Sequence, residues 1–400
     1  MSRAFLIVID SVGIGGAPDA DKFFNGDTPD TGANTLGHIA LACADGKAED
    51  GRTGPLKIPH LNALGAGAAI KLASGLDLGW PAPTGAFAAA TETSMGKDTP
   101  SGHWELTGVP VPWDWHTFPD KQPAFPQAVS DRICELASCD GILANCHASG
   151  TQVIEDFGGE HVRTGRPICY TSVDSVLQIA AHEEYFGLDR LLKLCQDLAP
   201  MLHDMKVGRV IARPFVGKDG DFSRTLNRHD YAIAPPERTL CDWVSDASRP
   251  VHAIGKIGDI FSMRGIDEVR KGADVTLMEH LSDLIDETMD GGFVFANFVE
   301  FDSRYGHRRD VSGYARHLEW FDAALGQLLP KLRAGDLLCV TADHGNDPTW
   351  IGTDHTRERV PVLVHGVGAK DCGHIEFIDV APTIAAHLGV PYGGRGRSFL

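Results

Sequence analysis

Six consecutive apolar residues, Ala4 to Ile9, end at Asp10 and run into the turn-forming stretch Ser-Val-Gly-Ile-Gly-Gly. A short unbroken apolar run closed by turn residues reads as a strand buried on both faces of a parallel sheet. The pattern returns three times late in the chain: Phe293 to Phe301 before Asp302, Leu337 to Thr341 near Asp343, and Val360 to His365. Helical spacing separates these runs. Asp274 to Met289 sets Leu277, Leu281, Leu284 and Ile285 on one face, and Tyr314 to Leu329 does so with Leu318, Phe321, Leu325 and Leu328. Asp379 to Leu388 stops at Gly389. Strands alternating with helices predict an α/β fold, a mostly parallel sheet with helices on both faces.

The middle of the chain breaks this rhythm. Val109 to Pro126 is rich in Pro and Trp and suits neither helix nor strand. After it come shorter segments: strands at Ile168–Thr171 and Val210–Phe215, helices at Ser175–His182 and Asp189–Leu198. A second linker, Ala232-Ile-Ala-Pro-Pro-Glu-Arg, precedes a strand at Val251–Gly255 that resumes the α/β pattern. The expected organisation is a core of residues 1–111 and 236–400, interrupted by an inserted α+β cap at 112–235. A chain of 400 residues is long enough for both.

Charge narrows the partners. With 36 Lys+Arg against 54 Asp+Glu the formal net charge is −18, the wrong sign for nucleic acid or an anionic membrane surface. Small phosphorylated ligands remain open, because a metal ion or a few arginines reverse the field within one cleft. No stretch approaches the ~20 apolar residues of a membrane span, and the apolar start is too short for a signal peptide. The 9 cysteines are odd in number and have no CxxC spacing, which suits reduced thiols and a cytoplasmic location. Cys134, Cys139 and Cys146 crowd near His147 and leave a zinc site open beside ordinary free thiols.

Ligands of open α/β sheets bind beyond the carboxyl ends of the strands. Asp10, Asp302 and Asp343 fall there, and beside them stand His307, His344 and His355, each in a short motif with a neighbouring aspartate. Taken singly, each is an ordinary cap or surface residue. Together they form a carboxylate cluster whose members raise one another's pKa unless cations intervene. Six such donors suit two divalent ions, which can stabilise both the attacking and the leaving oxygen of a phosphoryl transfer. Carboxylate with imidazole admits manganese, zinc or iron.

Such a site needs a nucleophile. The segment Gly-Lys-Asp-Thr-Pro-Ser-Gly-His-Trp-Glu at 96–105 offers Thr99 and Ser101. Thr before Pro predicts Thr99 as helix N-cap with Pro100 at the first helical position. A helix start welcomes phosphate. Lys97 beside it is a phosphate candidate by position.

These blocks carry a resemblance. Asp-Ser-Val-Gly-Ile-Gly-Gly-Ala-Pro-Asp-Ala at 10–20, the block at 96–105, Gly-Arg-Val-Ile-Ala-Arg-Pro-Phe-Val-Gly at 208–217 and Arg-Thr-Leu-Asn-Arg-His-Asp-Tyr-Ala at 224–232 resemble the prokaryotic-type phosphopentomutases. So do Tyr305-Gly-His-Arg-Arg-Asp310 and the two blocks Thr-Ala-Asp-His-Gly-Asn and Gly-Thr-Asp-His-Thr-Arg within 341–358. The last two alone resemble the wider alkaline phosphatase superfamily. One departure is Ser-Arg-Tyr at 303–305, where a more acidic or apolar stretch is the family habit; the spacing from Asp302 to His307 is kept.

The resemblance implies an alkaline-phosphatase-like core with a cap, two Mn²⁺ ions, and interconversion of ribose 1-phosphate with ribose 5-phosphate and of their 2-deoxy counterparts. It implies a phosphorylated Thr99, with Asp10, Asp343 and His344 on one metal and Asp302, His307 and His355 on the other. It implies Arg209, Ile211, Arg224 and Lys256 as substrate contacts, Asp174 as a sugar-hydroxyl contact, and a sugar bisphosphate (glucose 1,6-bisphosphate or ribose 1,5-bisphosphate) as activator. The nearest alternative is a phosphomonoesterase or phosphodiesterase on the same metals. A phosphoglycerate mutase would carry serine four residues before His103, where this chain has Thr99. A catalytically silent metal-binding or scaffold protein is a further alternative.

Overall fold

The computed structural model describes residues 2–172 and 175–400. The chain divides into two compact units, one of Met1–Pro112 with Pro235–Leu400, the other of Trp113–Ala234.

The larger unit is built on an eight-stranded sheet. Its order is Glu268–Arg270, Val251–Ile254, Phe293–Phe298, Ala4–Ile9, Leu337–Thr341, Val360–His365, Ala86–Thr91, Lys370–Glu376. Every residue of Ala4–Ile9 is buried. Successive side chains point to opposite faces, so both faces are covered, which is why this strand has no polar alternation. It runs parallel to both neighbours, with Ile9 opposite Phe298 and Val8 opposite Thr341. Asp10 and the residues after Phe298 and Thr341 therefore leave the sheet at one edge.

Two expectations change here. Val360–His365 is antiparallel to both of its neighbours. Its amino end consequently lies at the edge where the parallel strands end, and this brings in His355, which precedes it. Ala86–Thr91 again runs with the central strands and delivers the segment before Thr99 to that same edge. The apolar run from Phe293 also stops as a strand at Phe298. Phe301–Gly306 instead winds into a helical turn carrying Asp302.

The smaller unit holds a six-stranded mixed sheet in the order His229–Ala232, Arg209–Lys218, Val176–His182, Ile168–Thr171, Leu143–His147, with Asp221–Arg224 paired to Arg209–Lys218. The helix expected at Ser175–His182 is thus a strand, Val176–His182, buried throughout. Its apolar residues point to both faces, and a mostly apolar run of seven positions, broken by Gln178, fits helix and strand equally. Neighbours on both sides decide it. One face packs Cys169, Leu177, Ile179, Val210 and Ala212 against helices Gln127–Ala137 and Leu188–Asp204. The other packs Ile168, Tyr170, Ala180 and Phe215 against helix Gln152–Thr164.

All nine cysteines are free thiols. Cys139 donates to the Gly141 carbonyl and His147 Nε2 meets the Phe118 carbonyl at 2.9 Å, so this stretch does not converge on a metal-ligand set. No helix among the described residues is long and apolar enough to cross a membrane.

Candidate metal and phosphoryl-transfer site

Helix Thr99–Leu106 starts one residue earlier than expected. Its N-cap is Asp98, whose Oδ1 accepts from Ser101 N at 3.1 Å and whose Oδ2 accepts from Ser101 Oγ at 2.9 Å. A carboxylate that takes two donors outcompetes the Thr99 hydroxyl for the capping position. The consequence is chemical: Thr99 is relieved of capping and its Oγ1 lies 3.3 Å from His344 Nε2, while Ser101 is buried and committed to Asp98.

The six expected metal-binding side chains meet at the sheet edge. Nε2 of His307 is 3.2 Å from Asp302 Oδ2, and Nε2 of His355 is 3.3 Å from Asp302 Oδ1. His344 Nε2 lies 3.5 Å from Asp10 Oδ1 and 3.3 Å from Asp343 Oδ2. Donor atoms of Asp302, His307 and His355 fall within 4.8 Å of one another, as do those of Asp10, Asp302 and His344. Asp302 therefore borders both groups, and Asp343 adjoins the second across His344.

Backbone carbonyls orient the three rings. His307 Nδ1 donates to Thr353 O at 2.7 Å, His344 Nδ1 to Gly345 O at 3.1 Å and His355 Nδ1 to Lys97 O at 2.6 Å. A carbonyl can only accept, so each Nδ1 carries a proton and each Nε2 is turned inward, the usual arrangement behind a metal-binding histidine. Amides steady two of the carboxylates: Asn297 donates to Asp10 Oδ2 at 2.9 Å and Asn346 to Asp302 Oδ1 at 2.7 Å. Sequence reasoning passed over both asparagines. Asn346 stood in the Asp-His-Gly-Asn block, whereas Asn297 looked like one more strand residue.

The electrostatics are those of a cation site. Burial and then the neighbouring Asp343 and Asp302 push Asp10 well above the carboxylate range. Burial acts the same way on Asp302, yet His355 and His307 hold it well below that range. Burial also opposes ionisation of Asp343, which His344 and His103 outweigh. Burial drops His344 to about 4, so it is neutral and able to ligate. Asp10 Oδ1 and Asp343 Oδ2 are fully buried without a hydrogen bond. Orphaned carboxylate oxygens beside inward-facing imidazoles are a donor set that divalent ions fit.

The remaining candidates lie as follows. Lys97 Nζ is held by Asp30 at 3.1 Å, Asp354 at 3.2 Å and the Phe24 carbonyl at 2.9 Å. Lys256 precedes the short helix Ile257–Ile260 and its charge acts on Asp10. Arg209, Ile211 and Arg224 belong to the smaller unit's sheet, and Asp174 lies outside the described residues.

Residues 2–392 match the family model of the metalloenzyme superfamily. The chain is 56% identical over its whole length to the phosphopentomutase of Chelativorans sp. (strain BNC1), covering 98% of that protein. It is 53% identical to the phosphopentomutase of Rhizobium meliloti (strain 1021), covering all of both. The chain belongs to the phosphopentomutase family. Among solved structures, the phosphopentomutase-family chain is similar to PH0037 from Pyrococcus horikoshii, at 12% identity over 98% of this chain and 99% of that one, with a TM-score of 0.48. It is also similar to Leishmania mexicana phosphoglycerate mutase, at 14% identity over 98% and 97%, with a TM-score of 0.45. Likenesses this distant add nothing to the family assignment.

Proposed function

We propose that the protein interconverts ribose 1-phosphate and ribose 5-phosphate, and the corresponding 2-deoxyribose phosphates, through a phosphorylated Thr99. The observation that carries this reading is the Thr99 hydroxyl, outside the cap interaction and 3.3 Å from His344 Nε2. Full-length identity above 50% to phosphopentomutases supports the substrate.

Asp10, Asp343 and His344 would hold one divalent ion and Asp302, His307 and His355 the other, with Mn²⁺ the ion the family resemblance points to. Bound there, the ions would supply Lewis-acid stabilisation of phosphoryl oxygens. Phosphorylated Thr99 donates its phosphoryl group to the free hydroxyl of the sugar phosphate, giving a pentose bisphosphate and the free threonine. Thr99 then takes the other phosphoryl group back, releasing the isomer. A sugar bisphosphate, glucose 1,6-bisphosphate or ribose 1,5-bisphosphate, primes the threonine. The N-terminus of helix Thr99–Leu106 favours the negative charge that develops there. Lys97 ties Asp354 and, through its carbonyl, His355 to the nucleophile segment. Arg209, Ile211, Arg224 and Lys256 bind the sugar phosphate, and Asp174 is assigned to a sugar hydroxyl. Sugar phosphates and nine unpaired thiols suit the cytoplasm.

Purified protein with Mn²⁺, a sugar bisphosphate and ribose 5-phosphate should yield ribose 1-phosphate. Release of inorganic phosphate instead would favour a phosphatase on the same site. Thr99→Ala should lose both turnover and labelling of the protein by phosphate, with the fold retained by circular dichroism. Stoichiometric label on that variant would move the role to Ser101.

A further inference from the structure

In the larger unit, strand Glu268–Arg270 runs parallel to Val251–Ile254, which in turn runs parallel to Phe293–Phe298. The outermost and the last of these strands therefore end at the edge where Asp10 and Asp302 stand. Asp274 and Glu300 follow them there. Helix Val311–Leu328 packs beside helix Asp274–Glu287 and brings His317 to the same point. Donor atoms of Asp274, Glu300 and His317 fall within 4.8 Å of one another. None of the three belongs to the site described above.

Asp274 is the anomaly. It is fully buried, yet only one of its carboxylate oxygens is used. Oδ2 accepts from Glu300 N at 3.2 Å and faces His317 Nε2 at 2.9 Å. Oδ1 is buried and without a hydrogen bond. A carboxylate oxygen left dry in the interior costs stability unless a donor or a cation meets it. Aromatic rings fix the imidazole opposite. His317 lies 4.4 Å from the Phe301 ring and 4.8 Å from the Trp320 ring, with the latter nearly parallel at 19°. These contacts hold Nε2 against the carboxylate. Glu300 adds a second negative charge. Its Oε1 meets Arg304 Nη2 at 3.3 Å, but that arginine is mostly exposed, so water screens the pair and Glu300 is only weakly neutralised.

We propose that Asp274, Glu300 and His317 bind a divalent transition-metal ion of the zinc type, apart from the phosphoryl-transfer site, and that this ion braces the fold. One imidazole and two carboxylates are a donor set that zinc accepts. Ligands about 2.1 Å from an ion stand roughly 3.0–3.4 Å from each other, close to the 2.9 Å between His317 and Asp274. The ion meets the dry Oδ1 and offsets both negative charges, with water completing its shell. What it braces is the helical turn Phe301–Gly306, which Glu300 precedes and which carries Asp302. Asp274 is the first residue of its helix and His317 lies in the second turn of its own, so one ion ties that turn to two helices. Positions 274, 300 and 317 share no motif, and the set exists only once sheet and helices have assembled.

The test uses the full chain as wild type, His317→Gln and Asp274→Asn. Each is stripped with chelator and dialysed against Zn²⁺, and the bound zinc is counted by elemental analysis. Both variants should hold one equivalent fewer than wild type, whatever the wild-type total. Zinc added to the metal-free protein should raise the unfolding temperature of His317→Gln by less than that of wild type. Glutamine can still donate to Asp274 Oδ2 but is a poor zinc ligand, so this variant separates metal binding from the hydrogen bond. Should Asp274→Asn fail to fold, His317→Gln decides alone. Equal zinc content in wild type and His317→Gln would overturn the proposal and leave an imidazole–carboxylate hydrogen bond between two helices.

Discussion

His307 and His344 sit in one site and are tuned in opposite directions. Burial alone would lower both. At His307 the adjacent Asp302 outweighs it and raises the ring above the usual 6.5, whereas His344 falls to about 4. The first ring therefore holds a proton that a metal must displace, and the second does not. Metal addition to metal-free protein at pH near 6.5 should release protons, and the release should shrink as pH rises past the His307 pKa. Apparent metal affinity should fall as pH is lowered through the same range. Calorimetry in two buffers of different ionisation enthalpy reads this directly, and His307→Asn should remove the ring's share and leave the part displaced from Asp10. A release unchanged in that variant would place the proton elsewhere. At this scale much was legible: the six donors stand next to strand ends and glycine turns. The partners that aim them were not, because a carbonyl such as Lys97 O has no signature in sequence.

At the scale of the element, helix Thr99–Leu106 has to approach the strand end very closely. A β-carbon on Gly102 would lie 2.0 Å from the Asp343 carbonyl oxygen, a backbone atom with no flexible end to give way. Gly102→Ala should push the helix off the Asp343 loop and carry Thr99 with it. Misplacement on the order of 1 Å costs about 10²-fold in rate, so turnover should fall by about that factor while circular dichroism stays close to wild type. Normal turnover in Gly102→Ala would show that the contact is dispensable. His103 works across the same junction. Its Nδ1 donates to Thr99 O at 2.8 Å and lies 3.2 Å from Asp343 Oδ2, which sets the start of this helix beside the Asp343 carboxylate. Asp98→Ala removes the N-cap and should cost about 1 kcal/mol, read from the urea midpoint.

For the whole molecule, the consequence lies in three buried carboxylates at one sheet edge, Asp10, Asp302 and Asp343. Divalent ions that bind only the folded chain stabilise it by about 2.7 kcal/mol for each site at a hundredfold excess over Kd. Chelation should lower the unfolding temperature and readdition of Mn²⁺ should restore it. In Asp343→Asn the recovery should be smaller. An unfolding temperature indifferent to chelator would remove metals from the account of stability. The negative charge of the chain does not oppose this chemistry, since bound cations act locally.

The sequence by itself determined the α/β core and the family, and it singled out the Asp and His residues that meet at one sheet edge, because apolar runs, turn residues and motif blocks are local patterns. Only the tertiary structure decided the rest. Val360–His365 had to run antiparallel for His355 to reach the site, and no local pattern encodes strand direction. Val176–His182 became a strand because flanking strands supplied its hydrogen bonds. The cap passed from Thr99 to Asp98 through competition between two adjacent acceptors for the same donors. Propensity acts over a few neighbours, while direction, register and charge balance are settled by segments far apart in the chain.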